Sequence, residues 1–150
     1  SNVRTFTPES VSLPSYVACL VAAYSRQIAL LVMLDIEFFS SDKQPMHRVE
    51  VADTFLLWLA RTDFACIGEE AATDLSINGE NFTLPLIQLA PSTRKTFIEF
   101  FTESVVLHSK QVLLQLEQDS LQSELVYRLK KLIELLDCLK NEDYHYLQRV

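Results

Sequence analysis

The sequence predicts a mainly α domain, with four to five helices in a bundle-like arrangement and one β-hairpin between the second and third. Three observations predict it. Apolar residues recur at helical spacing along most of the chain. Prolines stand where helices should open, at Pro14 and Pro91. One dipeptide, Asn78-Gly79, tolerates the positive φ of a type I′ turn and so marks a hairpin.

Residues 1–13 read as a flexible N-terminus. The first helix is expected from Pro14 to Phe39 and is apolar nearly all round, so that Tyr16 to Leu34 rivals the ~20 residues of a bilayer span. Arg26 and Gln27 fall at its midpoint, and a central Arg costs roughly 2.5–3.5 kcal/mol in a membrane. A buried central helix is the better reading, and a membrane partner is not expected. Ser40 to Pro45 reads as a loop. Between His47 and Phe64, the residues Val51, Phe55, Trp58 and Leu59 share one helical face, which predicts a short amphipathic helix ending near Thr62-Asp63.

Residues 64–89 hold the hairpin. Phe64-Ala65-Cys66-Ile67 is expected as its first strand and Phe82 to Leu89 as its second, with Pro85 confining the latter to a sheet edge. A competing reading turns 68–78 into a helical turn, because Glu69 to Leu75 contains good helix formers. From Pro91 the period becomes 3.6, with Ser92 and Thr93 supplying capping hydroxyls. Phe97, Ile98, Phe101 and Val105 carry that helix towards Leu116. Glu117 to Glu124 is either a kink or a join, after which a C-terminal helix (121–140) follows. The whole reads as a single domain, 1–150, with its core in 14–116.

The chain has 150 residues, 49% of them apolar and 22% charged, enough to bury a core without metals or disulfides. Gly68 and Gly79 are its only glycines. Phosphate-cradling loops need more, and neither a P-loop nor a dinucleotide fingerprint is present. The net charge of −7 argues against nucleic acid as a partner. That charge is uneven: residues 1–90 carry a balance of −6 and residues 91–150 only −1. Cys19, Cys66 and Cys138 are odd in number and distant in sequence, which predicts buried thiols in a reducing compartment such as the cytoplasm. The opening SNVRTF lacks the charged region and cleavage site of a signal peptide.

A local rhythm adds to this picture. A short helix ending WLART, a strand start DFACIG, a turn at SINGEN, a strand FTLPLIQL and a helix opened by APSTRK follow one another between Val49 and Phe101. That order resembles a winged-helix unit over about a third of the chain. Ala90 stands where such units commonly place a capping Thr or Ser, and the glycine that usually follows is missing. The resemblance implies that the helix entering a DNA groove would be Arg48 through Arg61. Its exposed Glu50 and Asp53, beside Asp63, would face phosphates, so protein recognition fits the charge better.

No catalytic set converges. His47, His108 and His145 lie on separate elements, so neither a catalytic nor a metal site is assigned, and no cofactor is expected. Ser92-Thr93 beside Arg94 and Lys95 could hold an anion at a helix N-terminus. Together with Lys130 and Lys131 these are the candidate anion or nucleic-acid contacts, and Lys110 and Arg128 would join them in a DNA-binding regulator. Leu125, Leu129, Leu132, Leu136 and Leu139 step by four and three, the rhythm of a coiled-coil seam. They are the candidate self-association surface. The function expected is therefore a non-enzymatic protein-interaction or adaptor module, a homodimer or a binder of another protein. The alternatives are a winged-helix transcriptional regulator and an enzyme with an unrecognised site.

Overall fold

In DIEFF, residues 35–39, polar and apolar side chains alternate before the final phenylalanine. That alternation buries Ile36 and Phe38 and leaves Asp35 and Glu37 half-buried, as in a strand. A computed structural model describes residues 35–149, and in it Asp35–Phe39 is strand β1. The helix expected from Pro14 to Phe39 therefore does not include its last five residues, and its remainder lies outside the described residues. The next strand, β2 (Pro45–Glu50), replaces what should have been loop and the start of a helix. Only an eight-residue helix, α1 (Asp53–Ala60), survives of the segment from His47 to Phe64. The two strands are joined by a turn in which Lys43 takes φ 59° and Ser40 Oγ accepts from the Gln44 N–H at 3.2 Å.

A short 3-10 turn, Asp63–Cys66, follows. The Thr62 side chain accepts from the Phe64 N–H and fixes that turn, so Phe64 to Ile67 cannot serve as a strand. Gly68, at φ +71°, then redirects the chain. A Cβ there would lie 2.7 Å from Ile87 Cγ2 and 2.9 Å from Thr93 Cγ2, so the glycine also permits a close approach. The hairpin is made by β3 (Glu70–Ile77) and β4 (Glu80–Gln88) around Asn78 (φ 53°) and Gly79 (φ 81°). Helices α2 (Pro91–Glu117) and α3 (Ser123–Lys140) come next, and β5 (Tyr146–Arg149) closes the order.

The described fold is thus three helices and a five-stranded antiparallel sheet, which corrects the mainly α, all-helical bundle of four to five helices. The sheet order is β2-β1-β5-β4-β3. Two local hairpins, β1–β2 and β3–β4, are stitched together by the C-terminal strand, which pairs Leu147 with both Phe38 and Ile87. Pro85 is consequently on an interior strand, not on an edge. It is tolerated because the β4–β5 ladder covers only Ile87 and Gln88, leaving the strand unpartnered on that side at Pro85.

Alternation sends Ile36, Phe38, Val49, Ile87 and Leu147 to the face that the helices cover, where they meet Phe55, Leu59, Phe97, Phe101, Leu132 and Leu139. Phe64 packs against Phe97 and Phe101 at 5.7 and 5.6 Å between ring centroids. On the other face Phe39, Leu75 and Leu86 form a second cluster with Tyr146 against it. The sheet curls strongly enough that Gln44 Nε2, from the turn before β2, donates to the Ser76 carbonyl on β3 at 2.9 Å.

Candidate interaction surfaces

Helix α2 is 27 residues long, about 40 Å at 1.5 Å per residue, and only its inner face meets the core. Phe97, Phe101 and His108 lie on that face and are buried. The opposite side of its distal half carries Val106, Leu107, Leu113 and Leu114, between 48 and 60% exposed, with Leu116 on the flank. Two apolar doublets spaced seven residues apart are two turns apart on one stripe. Lys110 and Glu117 stand in the same stripe. Singly exposed leucines are ordinary, whereas these form a contiguous apolar stripe along one helix.

The α3 leucines lie elsewhere. Leu125, Leu132, Leu136 and Leu139 are buried in this chain's own core, and Leu129 is half-buried. Helix α2 packs along α3, so the heptad rhythm matches an intramolecular neighbour.

Arg94 has a structural assignment. Its Nη1 donates to the carbonyls of Leu139 (2.7 Å) and Asn141 (3.0 Å), and its Nη2 to that of Tyr144. These carbonyls belong to the end of α3 and the link into β5, where helix carbonyls lack partners of their own. Burial lowers the Arg94 pKa, against which the Glu142 carboxylate acts in the opposite sense. Lys95 faces Glu99 at 3.9 Å, Lys131 bonds Glu134 at 3.1 Å, and Lys130 is exposed. Arg128 lies 4.6 Å from the Trp58 ring centroid and bonds Glu124 at 3.3 Å. Arg94, Lys95, Arg128 and Lys131 are thus engaged in local contacts, and Lys130 stands exposed. Arg48, expected to open a groove-entering helix, is on β2 between Asp35 and Glu37, 3.5 Å from each.

Comparison with protein-family models, curated proteins and solved structures returned no match.

Near the start of α2 an open hollow of about 290 Å³ is lined by Asp63, Cys66, Gly68, Ser92, Thr93 and Thr96. The Asp63 carboxylate faces the same hollow as the helix N-terminus and opposes an anion there. Among the described residues no group of three His, Cys, Asp or Glu is placed to hold a metal ion. None of the described helices is long and apolar enough to cross a membrane. Cys138 is buried, and burial with the nearby Glu134 and Asp137 carboxylates pushes its thiol up to about 11. Such a thiol is a poor nucleophile at neutral pH.

The residues that sequence reasoning missed are the outer ones of α2. The signal was present as the repeat Val106-Leu107 and Leu113-Leu114, one heptad apart and on the side away from Phe97 and Phe101.

Proposed function

We propose that this chain is a non-catalytic interaction module that self-associates through the outer face of distal α2. The exposed doublets Val106-Leu107 and Leu113-Leu114 carry the reading. A two-fold axis between Leu113 and Leu114 sets two α2 helices antiparallel, with Leu113 beside the partner's Leu114 and Lys110 beside the partner's Glu117. Val106 and Leu107 then lie near the end of the partner's α2, which closes at Glu117. This register satisfies the charges within the stripe as well as its apolar surface.

Five half-exposed side chains per copy, at about 1 kcal/mol each, give roughly 10 kcal/mol gross for the pair. Association costs on the order of 4–15 kcal/mol, so the dimer is weak and concentration-dependent. A reducing compartment such as the cytoplasm suits a chain with a buried Cys138 thiol.

Sedimentation equilibrium across a wide concentration range tests the reading. A dimer that Leu113→Lys dissociates, with unchanged circular dichroism, supports it. A chain that stays monomeric throughout overturns it. The register has its own test: Lys110→Glu and Glu117→Lys each weaken the dimer, and the double swap restores it.

A further inference from the structure

We infer that β3 is a docking edge for an extended segment of another protein, one that alternates Lys or Arg with apolar residues. Among the described residues the sheet ends at β3, whose Ala71, Ala72, Asp74 and Ser76 are exposed. The two-residue Asn78-Gly79 turn fixes which backbone groups are used. Ile77 and Glu80 close the hairpin as a hydrogen-bonded pair, so Thr73 and Leu75 exchange bonds with β4 while Ala72, Asp74 and Ser76 point theirs away. Two observations agree with that parity. Ala72 faces Pro85, which has no N–H to give, and the Ser76 carbonyl accepts from Gln44 Nε2 at 2.9 Å, across the open edge. Among the described residues nothing takes the outward groups of Ala72 and Asp74.

Natural sheet edges are usually blocked by Lys, Pro or a bulge. The opposite edge has such features: β2 begins with Pro45, carries Arg48, and its pairing slips at Phe38/Phe39. Strand β3 has eight residues with no Lys, Pro or bulge, and its charges are the carboxylates Glu70 and Asp74.

Charge selects the occupant. From Thr62 to Thr93 the chain has five carboxylates and no Lys, Arg or His. Glu70 meets Arg149 at 3.1 Å, whereas Asp63, Glu69 and Glu80 have no such cation among the described residues, and the Asp74 carboxylate only accepts from the Thr83 hydroxyl. A second β3 is therefore a poor occupant, because antiparallel self-pairing sets Asp74 against Asp74 or Glu70 of the other copy. A basic strand meets opposite charge instead. Its cationic residues fall on the face of Asp74 and Glu70, and its apolar residues beside Leu75 and the 40%-exposed Phe82 on the other.

The test is titration of the labelled protein with a capped peptide of alternating Lys and Val, and with its Glu–Val counterpart, followed by amide exchange and chemical shift. The expected result is binding of the Lys peptide alone, weakened by salt, with new protection of the Ala72 and Asp74 amides. Ala72→Pro removes one outward donor without touching the β3–β4 ladder and should weaken binding by about tenfold or more. Asp74→Lys, at an exposed position, should weaken it without removing a backbone donor. No binding, equal binding of the Glu peptide, unchanged affinity in Ala72→Pro, or protection of these amides through self-association alone would each overturn the inference. Repeating the titration with Leu113→Lys separates this edge from the helix surface, since that variant should still bind the peptide.

Discussion

Replacing Arg94 by Ala removes three donors from the end of α3 and the link to β5. Two of the three bonds, to Leu139 and Tyr144, are part-buried, and the bond to Asn141 is exposed. Hydrogen bonds from a charged donor are worth roughly 1.5–3 kcal/mol when buried, and half-buried carbonyls recover part of that from water. Taking about 1 kcal/mol for each part-buried bond and little for the third gives a loss of about 2–3 kcal/mol. For a chain of this size that lowers Tm by roughly 5–10 °C. Urea unfolding followed through Trp58, the single tryptophan, measures it directly. Arg94→Lys should recover less than half, because an ammonium is a point charge and cannot reach three carbonyls in a fork. Hydrogen exchange should show the amides of β5 losing protection before those of α2. An Ala variant with an unchanged urea midpoint, or a Lys variant equal to wild type, would refute the clamp.

Three further outcomes are expected. Leu147→Ala, at a 1%-exposed position on the strand that joins both hairpins, should cost about 3 kcal/mol, within the range for buried leucine truncation; a loss below about 1 kcal/mol in chemical denaturation would mean that β5 is not the stitch. Gly68→Ala should cost roughly 2–3 kcal/mol through its positive φ and its contacts with Ile87 and Thr93, against about 1 kcal/mol for Gly79→Ala, which has φ +81° and open space around it; equal losses in urea would contradict the packing at Gly68. His108 is buried with its Nδ1 on the Ser104 carbonyl and its ring edge-on to Trp58, and burial is the main cause lowering its pKa, with the Arg128 charge adding to it and the Ser104 bond opposing. The unfolded chain takes up that proton near 6.5 and the folded chain resists, so this stability is present above about 6.5 and is lost as pH falls below it. Comparing urea midpoints at neutral and mildly acidic pH should show a smaller acid loss for His108→Gln than for wild type; an identical loss would refute the assignment.

The helical half of the fold was legible because its signals are local and repeated. Pro91 and the 3.6 period predict a helix towards Leu116, and α2 runs Pro91–Glu117. Asn78-Gly79 likewise sits in the two-residue turn that its φ tolerance predicts. Strands β1 and β5, in the interior of the sheet, were not legible. DIEFF follows a long apolar run and offers only two alternations, too few to interrupt a helical reading. YLQR has no periodicity at all, and it is a strand because β1 and β4 both present it with a ladder. The leucine heptads of α3 were visible, but a heptad does not say whether its partner helix lies in another copy or in the same chain. Here α2 occupies that role, and the surface left over is on α2 itself.

The position of β5 also bears on the order of folding. Each hairpin can close over a short loop, whereas the pairing of Ile36 with Arg149 must wait for almost the whole described chain to be brought round. Such distant contacts slow folding, because the entropy of closure comes before the reward of the ladder. Until β5 arrives, β1 and β4 each present an inner edge open to another chain. The interval between hairpin formation and strand insertion is therefore when this protein is most exposed to aggregation, and variants that delay the insertion should lower its refolding yield more than its final stability.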